Sequence, residues 1–310
     1  MAIVRRLVWA LLLAAATVAG QSNGQSETKP QDASNPREAV EQTRKDAEQG
    51  NATAQYNLGR MYHSGQGVPK DPVEAARWYR KAADQGYAPA QLNLGTMYFI
   101  GQGMPQDYAE AARWLRKAAD QGDALSQIGL GNIYAHGQGV AQDLAEAIRW
   151  YRKAADQGNS LAQLNLGVAY DNGLGVAQDY AEAVRWYRKA ADQGDADAQY
   201  NLGVLYGGGK GVPQDYTEAA KLYRKAADQG KVSAQAMLGA MYEFGVGVPQ
   251  DYMQSHQWLN LASSRSNGDA QKALSKERDA VAGKMTPAQI AEAQRLAREW
   301  RPIGAGASKQ

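Results

Sequence analysis

Hydrophobic and polar positions along this chain repeat with a period of 36 residues. The segment Asp-Gln-Gly marks the period and ends at Gly86, Gly122, Gly158, Gly194 and Gly230. In the first copy, apolar residues at helical spacing predict one helix over about 52–63 and a second helix that ends at Gln85. Gly65 and Gly67 end the first helix, and Asp71 is placed to cap the second. A fixed period of this size predicts stacked helical hairpins and an all-α solenoid.

The repeats divide the chain into a helical array and its flanking segments. Six copies are predicted, at 51–86, 87–122, 123–158, 159–194, 195–230 and 231–266. Residues 37–50 resemble the second half of a copy and predict an N-terminal cap helix. Residues 267–310 contain two further amphipathic patterns and predict C-terminal capping helices with a tail. The second pattern either covers the last hairpin or lies on a membrane surface, and its mixed charges favour the first alternative.

A glycine recurs in the middle of the first helix of every copy. These residues are Gly59, Gly95, Gly131, Gly167, Gly203 and Gly239. Because a mid-helix glycine costs about 1 kcal/mol relative to alanine, each is expected where two helix backbones approach closely. The ring of Tyr62, with its equivalents in the other copies, is expected to pack nearby.

Residues 1–20 have the pattern of an export signal. A positive start and the apolar residues 7–18 are followed by small residues, so cleavage is expected after Gly20. The apolar run is short for a membrane span, and an uncleaved anchor is the alternative. Residues 21–36 lack apolar periodicity and predict a disordered linker.

The charge balance argues against nucleic-acid binding. The sequence has 34 Lys and Arg against 32 Asp and Glu. The arginines of the signal, Arg5 and Arg6, account for this difference, so the remaining chain is about neutral. Binding to nucleic acid depends on a basic face, which is not expected here. The sequence contains no cysteine, which excludes disulfides and thiolate metal sites.

No pattern for catalysis, metal binding or cofactor binding is apparent. The histidines, His63, His136 and His256, fall at positions 13, 14 and 26 of the repeat, so the repeat symmetry does not bring them together. No nucleophile elbow or triad pattern occurs. The recurring Gly-x-Gly segments lie between helices and predict turns rather than phosphate loops. We expect a chain that is not an enzyme and has no cofactor and no metal.

The repeat resembles the Sel-1-like repeat (SLR) family, a branch of the tetratricopeptide-like superhelices. In the first copy the resemblance is carried by Ala54, Leu58, Gly59, Tyr62, Gly65, Gly67, Val68, Asp71, Ala75, Trp78, Tyr79, Ala82, Ala83 and Gly86. It recurs from residue 51 to about residue 266. The resemblance implies a right-handed α/α superhelix of helix-turn-helix repeats and an adaptor role in assembling protein complexes. It also implies a bacterial envelope setting, hence a periplasmic or secreted protein.

Variation between the copies is confined to one flank of the first helix. Positions 3, 6, 10 and 13 differ from copy to copy and lie on one side of a helix. The resemblance implies that this flank lines a concave groove, where asparagines at position 7 can bond a peptide backbone. The residues expected to bind a partner are Tyr56, Asn57, Arg60, His63, Leu92, Asn93, Thr96, Phe99, Ile128, Asn132, Leu164, Asn165, Val168, Tyr200, Asn201 and Val204. Alternatively, position 6 packs against the adjacent copy and is hidden.

Three functions follow from these observations. The first is a scaffold that binds a peptide or a partner protein in its concave groove. The second is an envelope protein that binds peptidoglycan or another glycan, although tryptophans that recur at one packing position are expected in the core. These are Trp78, Trp114, Trp150, Trp186 and Trp258. The third, a penicillin-binding or β-lactamase-like enzyme, is implied by cysteine-rich relatives of the family, whose disulfides this chain lacks.

Overall fold

A computed structural model describes residues 36–303, which form fifteen α-helices and contain no strand. The helices are α1 (Pro36–Glu48), α2 (Ala52–Ser64), α3 (Pro72–Asp84), α4 (Ala88–Ile100), α5 (Tyr108–Asp120), α6 (Ala124–His136), α7 (Leu144–Asp156), α8 (Ser160–Asn172), α9 (Tyr180–Asp192), α10 (Ala196–Gly208), α11 (Tyr216–Asp228), α12 (Val232–Phe244), α13 (Tyr252–Ser264), α14 (Gly268–Ala282) and α15 (Pro287–Glu299). The predicted export signal, the predicted linker up to residue 35 and the tail after residue 303 lie outside the described residues.

The described helices pack in chain order within two compact units, which divide between residues 157 and 158. In the first unit, α1 to α7 pack consecutively, each of the first six on its successor. In the second unit, α8 to α13 pack in the same way, and α14 and α15 both pack on α13. The prediction of an all-α solenoid of helix-turn-helix repeats is confirmed. Within 36–303 no helix has the length and apolar character that a membrane span requires.

Local sequence determines where the helices begin and end. The Asp71 carboxylate accepts hydrogen bonds from the backbone N–H groups of Val73 (2.9 Å) and Glu74 (3.1 Å) and caps α3 as predicted. Gly65 ends α2 at φ 82°, a left-handed conformation that glycine adopts at low cost. An aspartate and a glycine take these two roles in each of the six hairpins, which gives the connecting loops a constant form.

The mid-helix glycines allow the two helices of a hairpin to pack closely. A Cβ atom on Gly59 would lie 2.7 Å from Cδ1 of Tyr79 and 3.3 Å from the carbonyl oxygen of Ala75. The expected close approach of two helices is therefore present. The ring in contact is that of Tyr79 and not, as expected from the sequence, that of Tyr62. The Tyr62 hydroxyl instead accepts a hydrogen bond from Nη2 of Arg44 at 3.1 Å.

Buried glutamines, which the sequence did not single out, connect successive hairpins. The side chain of Gln91 is 3% exposed. Its Nε2 donates to the carbonyl oxygen of Ala83 (3.1 Å), and its Oε1 accepts from Nε2 of Gln121 (2.8 Å). The same pair of bonds recurs around Gln127 and Gln199. Since an unpaired buried polar group costs about 1–3 kcal/mol, these bonds favour one register of each hairpin on its neighbour.

The recurring tryptophans form part of the core, as predicted. All five are 8% exposed or less, which leaves no open aromatic face for stacking a sugar ring. Trp258 in α13 also meets Trp300, which follows α15, edge-on at 6.4 Å between ring centroids. Helix α15 thus lies against the last hairpin through this contact and the buried Ala293 and Ala297.

Candidate functional site

The residues predicted to bind a partner divide into interior and surface groups. The interior group, each member 7% exposed or less, is Tyr56, Leu92, Thr96, Phe99, Ile128 and Asn132. The partly buried group is Asn57, Arg60, His63, Asn93, Leu164, Asn165, Val168, Tyr200 and Asn201. Val204 is 41% exposed. For the interior group the prediction of a surface position was wrong.

Tyr56 shows why position 6 is buried in the first unit. Its ring lies 5.7 Å from the ring of Tyr79 in the same copy and 5.3 Å from the ring of Tyr87 in the next copy. At the same position of the third copy, Ile128 has no exposed surface. Tyr56 and Leu92 fill the space between successive hairpins, so the alternative of packing against the adjacent copy is correct for these two residues.

Several predicted residues of the first unit come together around one polar cavity of about 290 Å³. We call it the Arg60 cavity. It is lined by Thr43, Asn57, Arg60, Met61, His63, Ser64, Gln66, Tyr79, Asn93, Thr96 and Met97. These side chains come from α1, α2, α3, α4 and the loop after α2, so the stacking of hairpins in chain order creates the cavity.

Arg60 provides the one permanent charge of this cavity. None of its lining residues is acidic, and within 36–303 the Arg60 guanidinium makes no ion pair. The guanidinium carbon lies 5.8 Å from the centroid of the Tyr56 ring. Nearby, Nε2 of His63 donates to Oε1 of Gln102 at 3.3 Å. The cavity therefore combines a cation with neutral amides and hydroxyls.

Tyr79 lines the Arg60 cavity with a side chain that has no exposed surface, and its hydroxyl is buried. Within the described part of the chain this hydroxyl has no hydrogen-bond partner of normal geometry, although the Asn93 amide lies near it. Burial raises the pKa of the Tyr79 hydroxyl far above its usual value. The group is therefore a neutral donor at physiological pH.

In the second unit, Tyr200 and Val204 border an apolar hollow of about 440 Å³. We call it the Tyr216 hollow. Its lining is Tyr200, Val204, Gly207, Tyr216, Ala219, Tyr223, Met237, Ala240, Met241, Phe244 and Val246. These residues belong to α10, α11, α12 and the loop after α12. Leu164 and Val168 pack instead on the neighbouring core, and Asn165 and Asn201 do not line the hollow.

Exposed apolar side chains concentrate at the Tyr216 hollow. Eight large apolar side chains of residues 36–303 are exposed, and five of them line it. These five are Val204, Tyr216, Met237, Phe244 and Val246. Phe244 is 67% exposed. A cluster of this kind, unlike scattered surface leucines, marks a binding surface.

A single repeat position explains why the hollow is open. In the second copy, position 13 is Phe99, which is 6% exposed and packs on Tyr108 with ring centroids 4.9 Å apart. The fifth copy has Gly207 at position 13 and Tyr216 in place of Tyr108. Without an aromatic ring above it, Tyr216 is 44% exposed. The hollow is therefore the space that an aromatic side chain fills in an earlier copy.

Apolar residues at two repeat positions of the sixth copy indicate this surface in the sequence. Position 7 is asparagine in four copies, but Met237 in the sixth. Position 16 is glutamine in the first three copies, but Val246 in the sixth. Polar residues of the repeat are thus replaced by apolar ones where the hollow lies. Tyr216, Met237, Phe244 and Val246 were not among the predicted residues, because the prediction considered only the variable flank of the first helix of each copy.

Among the residues described, His, Cys, Asp and Glu form no group of three or more that could hold a metal ion. His63 lines the Arg60 cavity, whereas His136 bonds through Nδ1 with the backbone carbonyl oxygen of Asn132 at 2.8 Å. His256 is buried, and this desolvation lowers its pKa. The Arg60 cavity and the Tyr216 hollow are the candidate sites considered below.

Comparisons with known proteins agree with the repeat architecture. The Sel1 repeat model matches residues 52–87, 88–123, 124–159, 160–195, 196–231 and 232–267. A crystal structure of a protective antigen present in uropathogenic Escherichia coli strains, described as displaying an SLR fold, is 41% identical with a TM-score of 0.76. The match covers 84% of this chain and 56% of the antigen, so this chain spans only part of that protein's length.

A Sel1 repeat protein from Oxalobacter formigenes is 35% identical to this chain, with a TM-score of 0.66. That match covers 75% of this chain and 93% of the other protein. No curated protein sequence matches the chain. Six consecutive matches to one family model, together with these two structures, establish the relationship. The chain belongs to the Sel1 repeat family.

Proposed function

We propose that this chain is an exported, non-catalytic scaffold that binds a partner protein in the Tyr216 hollow. Sel1 repeat proteins are typically scaffolds for protein interaction. The observation that carries the proposal is the concentration of exposed apolar side chains around one hollow. Export to the periplasm or the medium rests on the signal pattern of residues 1–20.

The chemistry of the hollow favours the apolar face of an amphipathic helix as the occupant. An extended peptide brings backbone N–H and C=O groups that need partners, and the asparagine that could supply them is replaced by Met237. A helix satisfies its own backbone and presents apolar side chains at spacings of three and four residues. A hollow of about 440 Å³ lies within the range of sites that take large side chains.

The expected interaction energy comes from burying these exposed side chains. Full burial of one large apolar side chain contributes about 1.5–3 kcal/mol relative to its exposure. Phe244, Met237 and Val204 together can therefore anchor a partner helix, after part of that energy offsets the entropy of association. The flexible Met237 side chain can adapt to the shape of the incoming side chains.

Site-specific photo-cross-linking tests the proposed function. A photoreactive phenylalanine analogue at position 244 is expected to form a discrete adduct with one protein in cells of the source organism. The cross-linked segment, read by mass spectrometry, is expected to carry large apolar residues at helical spacing. The substitution Met237→Glu is expected to remove the adduct, because a carboxylate in the hollow is costly to desolvate.

The matched control places the same photoreactive residue at position 73. Val73 is apolar and 48% exposed, but it lines neither the hollow nor the Arg60 cavity. The proposal predicts no discrete adduct from this position. Equal adducts from positions 73 and 244, or an adduct that survives Met237→Glu, would count against binding in the hollow.

A further inference from the structure

We infer that the Arg60 cavity in the first unit binds a carboxylate group of a protein. The inference rests on the proposed protein-binding function but concerns a second site, at a different place in the chain. It follows from three features of the cavity among the described residues: a guanidinium without an ion pair, the absence of any lining carboxylate, and a Tyr79 hydroxyl without a hydrogen-bond partner of normal geometry.

The state of Arg60 differs from that of three arginines on the second helices of the hairpins. Arg77, Arg149 and Arg185 each pair with a glutamate three residues earlier. Arg60 is half-buried and has no acidic partner within the described residues. A partly desolvated guanidinium presents a planar fork of donors that matches the two oxygens of a carboxylate. No described residue supplies such a carboxylate, so the guanidinium is open to a carboxylate added from outside.

The charge of the cavity favours a carboxylate over a phosphate. Arg60 is its one permanent cation, and a single positive charge balances the single negative charge of a carboxylate. A phosphate group carries about two negative charges near neutral pH, so part of its charge would remain unbalanced. The arrangement therefore fits a carboxylate group, which both a chain terminus and an acidic side chain carry.

The polar groups around Arg60 complete the site. Asn57 and Asn93 line the cavity, and each amide can donate to a carboxylate or peptide oxygen and accept from a peptide N–H. The Tyr79 hydroxyl is a neutral donor without a partner of normal geometry. The lining thus includes a guanidinium, two amides and the buried side chain of Tyr79 around a volume of about 290 Å³, which holds a carboxylate with part of the residue that bears it.

Nuclear magnetic resonance with short peptides of defined sequence tests the inference without the cellular partner. The isotope-labelled chain is titrated with three peptides. The first is acetyl-Ala-Ala-Ala-Ala with a free C-terminal carboxylate, the second is the same peptide with a C-terminal amide, and the third is acetyl-Ala-Ala-Glu-Ala-amide. We expect millimolar binding that shifts the Arg60 Nε–Hε signal and the side-chain amide signals of Asn57 and Asn93. Shifts from the first peptide alone identify a chain terminus, and shifts from the third alone identify an acidic side chain.

Substitutions at Arg60 separate recognition from general charge attraction. Arg60→Gln is expected to weaken carboxylate binding at least tenfold, and Arg60→Lys, which keeps the charge but loses the planar fork, to weaken it several-fold. Arg77→Gln is the control and should leave binding unchanged. If Arg60→Gln disturbs the fold, carboxylate binding is compared between Arg60→Lys and the original chain. Equal binding of carboxylate and amide peptides, preferential binding of inorganic phosphate, or no shift at all would overturn the inference, while leaving the Tyr216 hollow unaffected.

Discussion

Replacing Gly139 with alanine is expected to lower the free energy of unfolding by about 2–5 kcal/mol. Gly139 has φ 70°, where a non-glycine residue costs about 1–2 kcal/mol. A Cβ atom there would also overlap with the carbonyl carbon of Tyr108 and the backbone nitrogen of Ala109. Since backbone atoms of a packed helix cannot rotate away, relief requires the loop to move, at about 1–3 kcal/mol for overpacking.

Gly122→Ala is the matched control for this prediction. Gly122 has φ 97°, but no atom lies within 4 Å of the position of an added Cβ. Its substitution therefore has the conformational cost alone. Urea denaturation followed by circular dichroism measures both variants against the original chain. If Gly139→Ala costs no more than Gly122→Ala, the loop after α6 does not pack on the start of α5 as the structure shows.

The second large effect is expected from Gly207→Phe, which fills the Tyr216 hollow from within. In the second copy the residue at the same repeat position, Phe99, covers Tyr108. The nearest atom to an added Cβ on Gly207 is Cβ of Ala219 at 3.8 Å, so the backbone has room for the new side chain. We expect the new ring to cover Tyr216 and to weaken partner binding at least about 30-fold, the loss of one hot-spot contact of about 2 kcal/mol.

This substitution separates loss of binding from loss of folding. Replacing a helical glycine with phenylalanine gains about 0.3–0.5 kcal/mol in helix propensity, so the chain is expected to be at least as stable as before. Gly208→Phe is the control and adds the same ring one residue later. Only the flexible Lys210 side chain lies within 4 Å of an added Cβ there, and Gly208 does not line the hollow. Isothermal titration calorimetry with the partner identified by cross-linking measures the binding affinity of both variants. Unchanged affinity in Gly207→Phe would show that the partner does not enter the hollow.

The repeat period was sufficient to predict the helices, their order and much of their capping. Asp71 caps a helix and Gly65 ends one because both roles depend on a few neighbouring backbone groups. The tryptophans could be predicted to lie in the core because they recur at one repeat position, and each copy buries the same helix face. These features depend on local chemistry and on a pattern repeated many times.

The sequence could not show which side of the first helix of a copy the next copy covers. Position 6 varies as a surface would, yet Tyr56 and Leu92 are buried because the following hairpin packs over them. Likewise, the periodicity placed Tyr62 beside Gly59, but the contacting ring is Tyr79, from the second helix of the hairpin. Such contacts depend on the angle and spacing between helices, which a one-dimensional pattern does not contain.

The proposed binding surfaces occur where a copy departs from the repeat, and not along the variable flank as a whole. Gly207 opens a space that Phe99 closes in another copy, and Met237 makes apolar a position that is elsewhere polar. Arg60 belonged to the predicted set, and the structure adds Tyr79 and Thr43 to its surroundings. A comparison of each copy with the others, position by position, would have singled out Gly207 and Met237.

Hydrogen–deuterium exchange of the chain, with and without the protein captured at position 244, tests the central claim most directly. Binding in the Tyr216 hollow predicts slower exchange in 196–208 and 232–246, which supply most of its lining. The backbone amides of α9, which lines neither site, should exchange at the same rate in both samples. Protection that spares both of those segments would contradict the assignment of the hollow as the partner-binding surface.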